Sequence, residues 1–159
     1  MPDDNSKDDG DTKEIIPSTA ALSQHPIHPM VITFPIAFLT GAFATDLGYW
    51  WTTDPFWAQV SVWLVLAGLA MGIFAAVFGI TDFVTIREVR MHITAWNHFL
   101  SAVMALALAG ANLQLRLDDP TAAVLPWGLY LSAITVVMVG IAGWLGGTLT
   151  FRHAIGTYD

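Results

Sequence analysis

Long apolar runs separated by short polar stretches dominate the chain from residue 29 onward. Four such runs cover about residues 29–51, 56–84, 91–115 and 123–150. At about 1.5 Å of rise per residue, each can cross a hydrocarbon core of about 30 Å. The pattern predicts an all-α fold, an integral membrane four-helix, up-and-down bundle. The second run is longer than a bilayer requires, so tilt or a protruding end is expected there.

The polar stretches between the runs contain recognisable stop and start signals. His25-Pro26-Ile27-His28-Pro29 resists helix formation until Pro29, which suits a first helical position. Pro35 lies one turn further in and predicts a kink or a loosened first turn. Tyr49, Trp50 and Trp51 form an interfacial aromatic belt, followed by the turn Thr52-Thr53-Asp54-Pro55. IREVR joins runs two and three, and Leu117-Asp118-Asp119-Pro120 joins runs three and four.

Composition agrees with a membrane protein. Hydrophobic residues are 55% and charged residues 12% of the chain, against about 45–50% and about 25% in soluble domains. Much of the net charge of -7 sits in residues 1–14, MPDDNSKDDGDTKE. The division expected is a disordered acidic tail and linker over 1–24, a four-span domain over 25–153 and a short tail over 154–159. The acidic start lacks the basic region of a cleavable signal peptide, so the first span is expected to stay in the protein. No basic, aromatic-interleaved segment suggests nucleic-acid binding. The absence of cysteine excludes disulfides, thiolate-bound iron-sulfur clusters and covalent c-type haem.

Four spans bring both termini to one side of the membrane. Arg87, Arg90 and Arg152 belong to that side and Arg116 to the other, so the positive-inside rule expects cytoplasmic termini. All five histidines, His25, His28, His92, His98 and His153, fall in the half of the molecule nearer the termini. His98 lies roughly 12 Å inside the third run, and an ionisable residue at such depth is a functional candidate by default.

Small residues recur at helical spacing in every span: Thr33, Ala37, Thr40, Gly41, Ala44 and Gly48, then Gly68, Gly72, Ala76 and Gly79, and later Gly140, Gly143 and Gly147. Close helix packing explains such stripes, and homo-oligomerisation could use them equally well. In the third span Ala102, Ala105, Ala109 and Asn112 continue the register of His98. Among the acids, Asp82 is expected to pair with Arg87 or Arg152, in preference to relaying protons. Asp46, toward the far end of span one, is within reach of the interface.

Three chemistries fit the histidines. They could be axial ligands of a haem between helices, they could hold zinc, copper or non-haem iron, or they could simply hydrogen-bond within the bundle. His98 is the central candidate, with His28 and His153 able to approach it and Ala102 leaving room for a flat macrocycle. His25 and His92 are expected at the interface. Gly146-Gly147 is read as a helix contact. No nucleophile elbow, phosphate-binding loop or zinc-protease motif is present.

The segments HPIHPMVITFPIAF, FATDL, VFGITDF, NLQLR and GWLGGTLTFRHAIG together resemble domain-of-unknown-function family 2231, a bacterial group of small four-span membrane proteins. The resemblance covers roughly residues 25–156. It places His28, Pro29, Phe34, Pro35, Asp46, Gly79, Asp82, His98, Asn112, Trp144, Gly146, Gly147, Arg152 and His153 at motif positions. Ala102 stands where the family often has asparagine, and His92 is particular to this chain. Relatives look like modules that accompany redox proteins. The family label confers no activity by itself, but with the histidines it favours a b-type cytochrome of the bacterial inner membrane, passing electrons between a redox partner and quinone or another carrier. Two of His28, His98 and His153 would ligate haem b, and Arg87 and Arg152 would meet its propionates. The alternatives are a non-redox scaffold and a zinc, copper or iron site.

Overall fold

Residues 16–23 and 25–155 are described by a computed structural model, apart from the side chain of His153. The expected disorder of residues 1–14 and the end of the C-terminal tail fall outside the described residues.

Four helical segments are long and apolar enough to cross a membrane, Ile27–Thr52, Pro55–Thr85, Ile93–Arg116 and Pro120–Arg152. The first is broken. A short α1 (Ile27–Val31) is joined through Ile32 to α2 (Thr33–Thr52). The break falls in the turn before Pro35, whose missing N–H and ring disturb the helix toward residue 31. His28 is consequently the second residue of α1 and not a residue of the long helix. The second span, α3, runs Pro55–Thr85 and starts where Asp54 accepts from the Phe56 amide with Pro55 in the first turn.

The connection after α3 is not a loop. Arg87–Met91 forms α4, and an extended His92 separates it from α5, Ile93–Arg116. The third span therefore begins after Arg90, whose guanidinium caps α3 by donating to the carbonyls of Phe83 and Val84. Span four starts with α6 (Pro120–Ala123), kinks within Val124–Gly128, where Leu125 adopts extended backbone, and continues as α7, Leu129–His153. Asp119 caps α6. The Thr121 hydroxyl, and then the amides of Ala122 and Thr121, hold its carboxyl below the usual aspartate range.

Helix α2 packs closely against α3, and α5 against α7, while α2–α7 and α3–α5 contacts close the bundle. The diagonals are thus α2–α5 and α3–α7. The inward face of α2 is Pro35, Leu39, Ala42, Thr45 and Asp46, which corrects the small-residue stripe. Thr33, Ala37, Thr40 and Ala44 are exposed, and of that stripe only Gly41 and Gly48 approach α3. In α3 the expected face holds, with Gly68 against Leu39 and Gly72 against Leu106. In α5, Ala105, Ala109 and Asn112 are buried as their register with His98 requires, and the same row continues to Arg116.

The chain before the first span is also structured. Ala21–Leu22 (β1) pairs antiparallel with His25–Pro26 (β2), and Ile16 bridges to Ile155. This strap lies across the terminal end of the bundle over an apolar cluster of Ile86, Val89, Ala95 and Leu149. Residues 16–23 are therefore part of the fold, in contrast to the disorder expected for the linker.

Candidate functional site

Three polar assemblies interrupt the apolar interior. The most deeply buried joins all four spans in the half away from the termini. The Asp46 carboxylate of α2 accepts two parallel bonds from the Arg116 guanidinium, at 2.8 and 2.7 Å, and one each from Ser61 of α3 (2.6 Å) and Ser132 of α7 (2.5 Å). Arg116 Nε donates to Asn112 Oδ1 at 2.8 Å, and Asn112 Nδ2 donates to Ser132 at 2.8 Å. Further bonds from Nη1 to Ser61 and from Nη2 to Ser132 engage all five guanidinium donors. Asp46, Ser61 and Arg116 are each 0% exposed. A bidentate pair saturated in this way is a crosslink between helices, with no donor or acceptor left for a ligand. Gly128 makes room for it, because a Cβ there would lie 2.8 Å from Arg116 Nη2.

This network corrects two expectations. Arg116 is not an interfacial charge of the far loop, and Asp46 does not reach the interface; each is the other's buried partner. Ser61 and Ser132 escaped notice because an isolated serine in an apolar run carries no distinguishing pattern.

The second assembly surrounds Asp82. Its Oδ1 accepts from the amides of Thr19 and Ala20, both at 2.9 Å, and from the Thr19 hydroxyl at 2.8 Å. Its Oδ2 accepts from the Ser18 hydroxyl at 2.6 Å. The expected ion pair with Arg87 or Arg152 is absent: the strap satisfies the carboxylate, and both arginines are exposed at the terminal end.

The third assembly contains the histidines. His28 and His98 face each other with ring centres 6.1 Å apart and planes at 88°. His28 Nδ1 donates to the Ala75 carbonyl at 2.9 Å, and His98 Nδ1 donates to the Ala142 carbonyl at 2.8 Å. Since a carbonyl only accepts, both rings carry a proton on Nδ1, and in the neutral form of each ring the lone pair is then on Nε2. Neither Nε2 has a hydrogen-bond partner among the described residues. Behind the rings stand two glycines. A Cβ on Gly79 would be 3.0 Å from His28 Nδ1, and one on Gly146 would be 3.2 Å from His98 Cε1. Gly146 is thus a contact of a histidine, whereas Gly140 and Gly143 face open space.

The remaining candidates are placed apart. His25 is exposed, its Nδ1 donating to the Ser23 carbonyl at 2.8 Å. His92 occupies the break between α4 and α5. His153 ends α7, and its side chain lies outside the description. Among the described residues no three His, Asp or Glu side chains converge as a metal site.

A family model described as "Predicted membrane protein (DUF2231)" matches residues 24–159. The chain belongs to the DUF2231 family. No curated protein and no solved structure matches it. With four spanning helices, this DUF2231 member is a multi-pass membrane protein embedded in the lipid bilayer. The DUF2231 match covers all four spans, so the Asp46–Arg116 network and the histidine pair fall within it, whereas Ser18, Thr19 and Ala20, which bind Asp82, precede it.

Proposed function

We propose that this protein is a membrane-embedded b-type haem protein that transfers electrons between a redox partner and quinone or another carrier, with His28 and His98 as the two axial ligands. The observation that carries the proposal is the paired, carbonyl-anchored arrangement of the two imidazoles. A metal-ligating histidine characteristically gives its other ring N–H to a carbonyl or carboxylate, which sets tautomer and orientation. With metal–imidazole bonds of about 2.0–2.1 Å, two rings on opposite sides of one metal have centres roughly 6 Å apart. The observed 6.1 Å matches that separation.

The donor set favours haem over a bare ion. Zinc sites take three or four protein ligands, whereas haem brings four nitrogens of its own and asks for only one or two axial residues. Haem supplies a one-electron iron couple. The protein's part is to hold both imidazoles by their Nδ1 atoms, to surround them with apolar helix faces, and to offer exposed Arg87 and Arg152 at the terminal end for the propionates.

The same reading places the protein in the bacterial inner membrane with cytoplasmic termini. With Arg116 buried in its pair, the free arginines Arg87 and Arg152 lie at the terminal end, and the opposite turns carry Asp54, Asp118 and Asp119 without a basic residue.

The test is the absorption spectrum of detergent-purified protein from haem-replete cells. A Soret band with reducible visible bands is expected in wild type and in His92→Ala, and its loss in His28→Ala and His98→Ala. A colourless wild type would sink the haem proposal in favour of a non-redox scaffold, with metal analysis then deciding for or against zinc or copper.

A further inference from the structure

The two histidines rest on identical seats. In each, the imidazole donates to a helix carbonyl, Ala75 or Ala142, and a glycine stands four residues later, at Gly79 or Gly146. A helical carbonyl points toward residue i+4, so a side chain at that position would crowd the approach of a second donor. Glycine leaves the carbonyl open, and the 3.0 and 3.2 Å clearances show that even a methyl group would press on the ring.

The seats belong to a larger repeat. His28 and His98 are 70 positions apart, and so are Asp46 and Arg116. Both seats, Ala75 with Gly79 and Ala142 with Gly146, are related by 67 positions. In this bundle the first and third spans run parallel on one diagonal and the second and fourth on the other, so a half-turn about the bundle axis exchanges the two hairpins. Residues meeting across the first diagonal lie near that axis. Two like charges could not meet there, and the deep pair is accordingly a carboxylate against a guanidinium. The histidines are alike, although in their Nδ1–H tautomers two Nε2 acceptors cannot hydrogen-bond to each other.

We infer that Gly79 and Gly146 are the positioning residues of the histidine pair: with the carbonyls of Ala75 and Ala142 they form two copies of one seat. This seat fixes both imidazoles as Nδ1–H tautomers and leaves two equivalent Nε2 lone pairs for one electron-pair acceptor on the internal two-fold axis. That the acceptor is haem iron rests on the function proposed above; the tautomers and the equivalence of the seats do not.

The experiment uses the full chain in detergent, with nitrogen-15 correlation spectra of the histidine rings recorded before haemin is added. Wild type should show His28 and His98 protonated at Nδ1, and a ring protonated at Nε2 would overturn the inference. Gly79→Ala should disturb the His28 ring alone, Gly146→Ala the His98 ring alone, and Gly140→Ala neither. Haemin affinity should fall by about 10- to 100-fold in each of the first two variants, the range typical of lost outer partners of a metal ligand, and stay unchanged in Gly140→Ala. Unchanged rings in both seat variants, or an equal effect of Gly140→Ala, would overturn it too. Circular dichroism verifies that each variant is folded; if a seat variant is not, the wild-type ring spectrum decides. Wild type with the expected tautomers and no haemin binding sinks the haem reading and keeps the seats, whereas haemin binding that ignores both glycines does the reverse.

Discussion

Asp46 and Arg116 meet on the same diagonal of the bundle as His28 and His98, yet the first pair is sealed and the second keeps unused lone pairs. In the sealed half every donor of the guanidinium and both carboxylate oxygens are engaged by four helices. In the other half each ring is held by one nitrogen only, on the helix behind it. A fully satisfied buried network fixes how helices pack. The histidine pair, with one nitrogen of each ring unengaged among the described residues, is where the proposed ligand would bind. The contrast separates a part of the molecule that specifies architecture from a part available for chemistry.

The largest effect should come from breaking the sealed pair. Arg116→Met leaves Asp46 as an uncompensated buried carboxylate and should lower stability by about 3–5 kcal/mol, read as a denaturation midpoint in detergent. The double variant Asp46→Leu with Arg116→Met should lose much less. If single and double lose equally, the pair is not the crosslink described.

Next comes the strap. Asp82→Ala removes four hydrogen bonds to a carboxylate. Hydrogen bonds to charged groups contribute about 1.5–3 kcal/mol each in favourable cases, so the Thr19 and Ala20 amides should exchange faster by at least tenfold, with the Asp46 network still protected. Exchange that is unaltered at Thr19 and Ala20 would place the strap's stability elsewhere.

Replacing either histidine should cost the fold less. His98→Ala and His28→Ala each give up one hydrogen bond to a carbonyl, about 1 kcal/mol, while removing the proposed ligand. A collapse as severe as that of Arg116→Met would erase the distinction between the two halves.

The smallest effect concerns Asp119 at the start of α6. Its carboxyl is held below the ordinary range by Thr121 and the neighbouring amides, so its contribution is present above the ordinary aspartate value and lost as pH falls through the depressed one. Amide exchange at Thr121 and Ala122 should rise only in that acid window, and Asp119→Ala should abolish the pH dependence. The histidine pair lies in the membrane half remote from this cap and should not follow it.

The spans were legible because a bilayer imposes length: Pro55–Thr85 and Pro120–Arg152 fall within a few residues of the apolar runs. The inward faces were less so. A helix that is apolar all round has no polar face to orient it, and for this reason Thr33, Ala37, Thr40 and Ala44 were mistaken for an inner stripe. His98 stood out by the cost of placing imidazole in lipid and His28 by its place at the start of the first span, but their seats did not, since a carbonyl has no letter in the sequence. Arg116 was misplaced because an arginine ending an apolar run reads as an interfacial anchor, and its partner is 70 residues away. Asp82 was misassigned for a similar reason. Arginines are close to it in sequence, whereas the groups that bind it come from more than 60 residues upstream.

The strap also sets an order of events during synthesis. Ile16 leaves the ribosome before any span, but Ile155, to which it bridges, follows all four. Asp82 can engage Ser18 and Thr19 once two spans exist, and the Ile16–Ile155 bridge can close only after α7 has emerged. The latch at the terminal end therefore forms last and marks a chain whose four helices are all present.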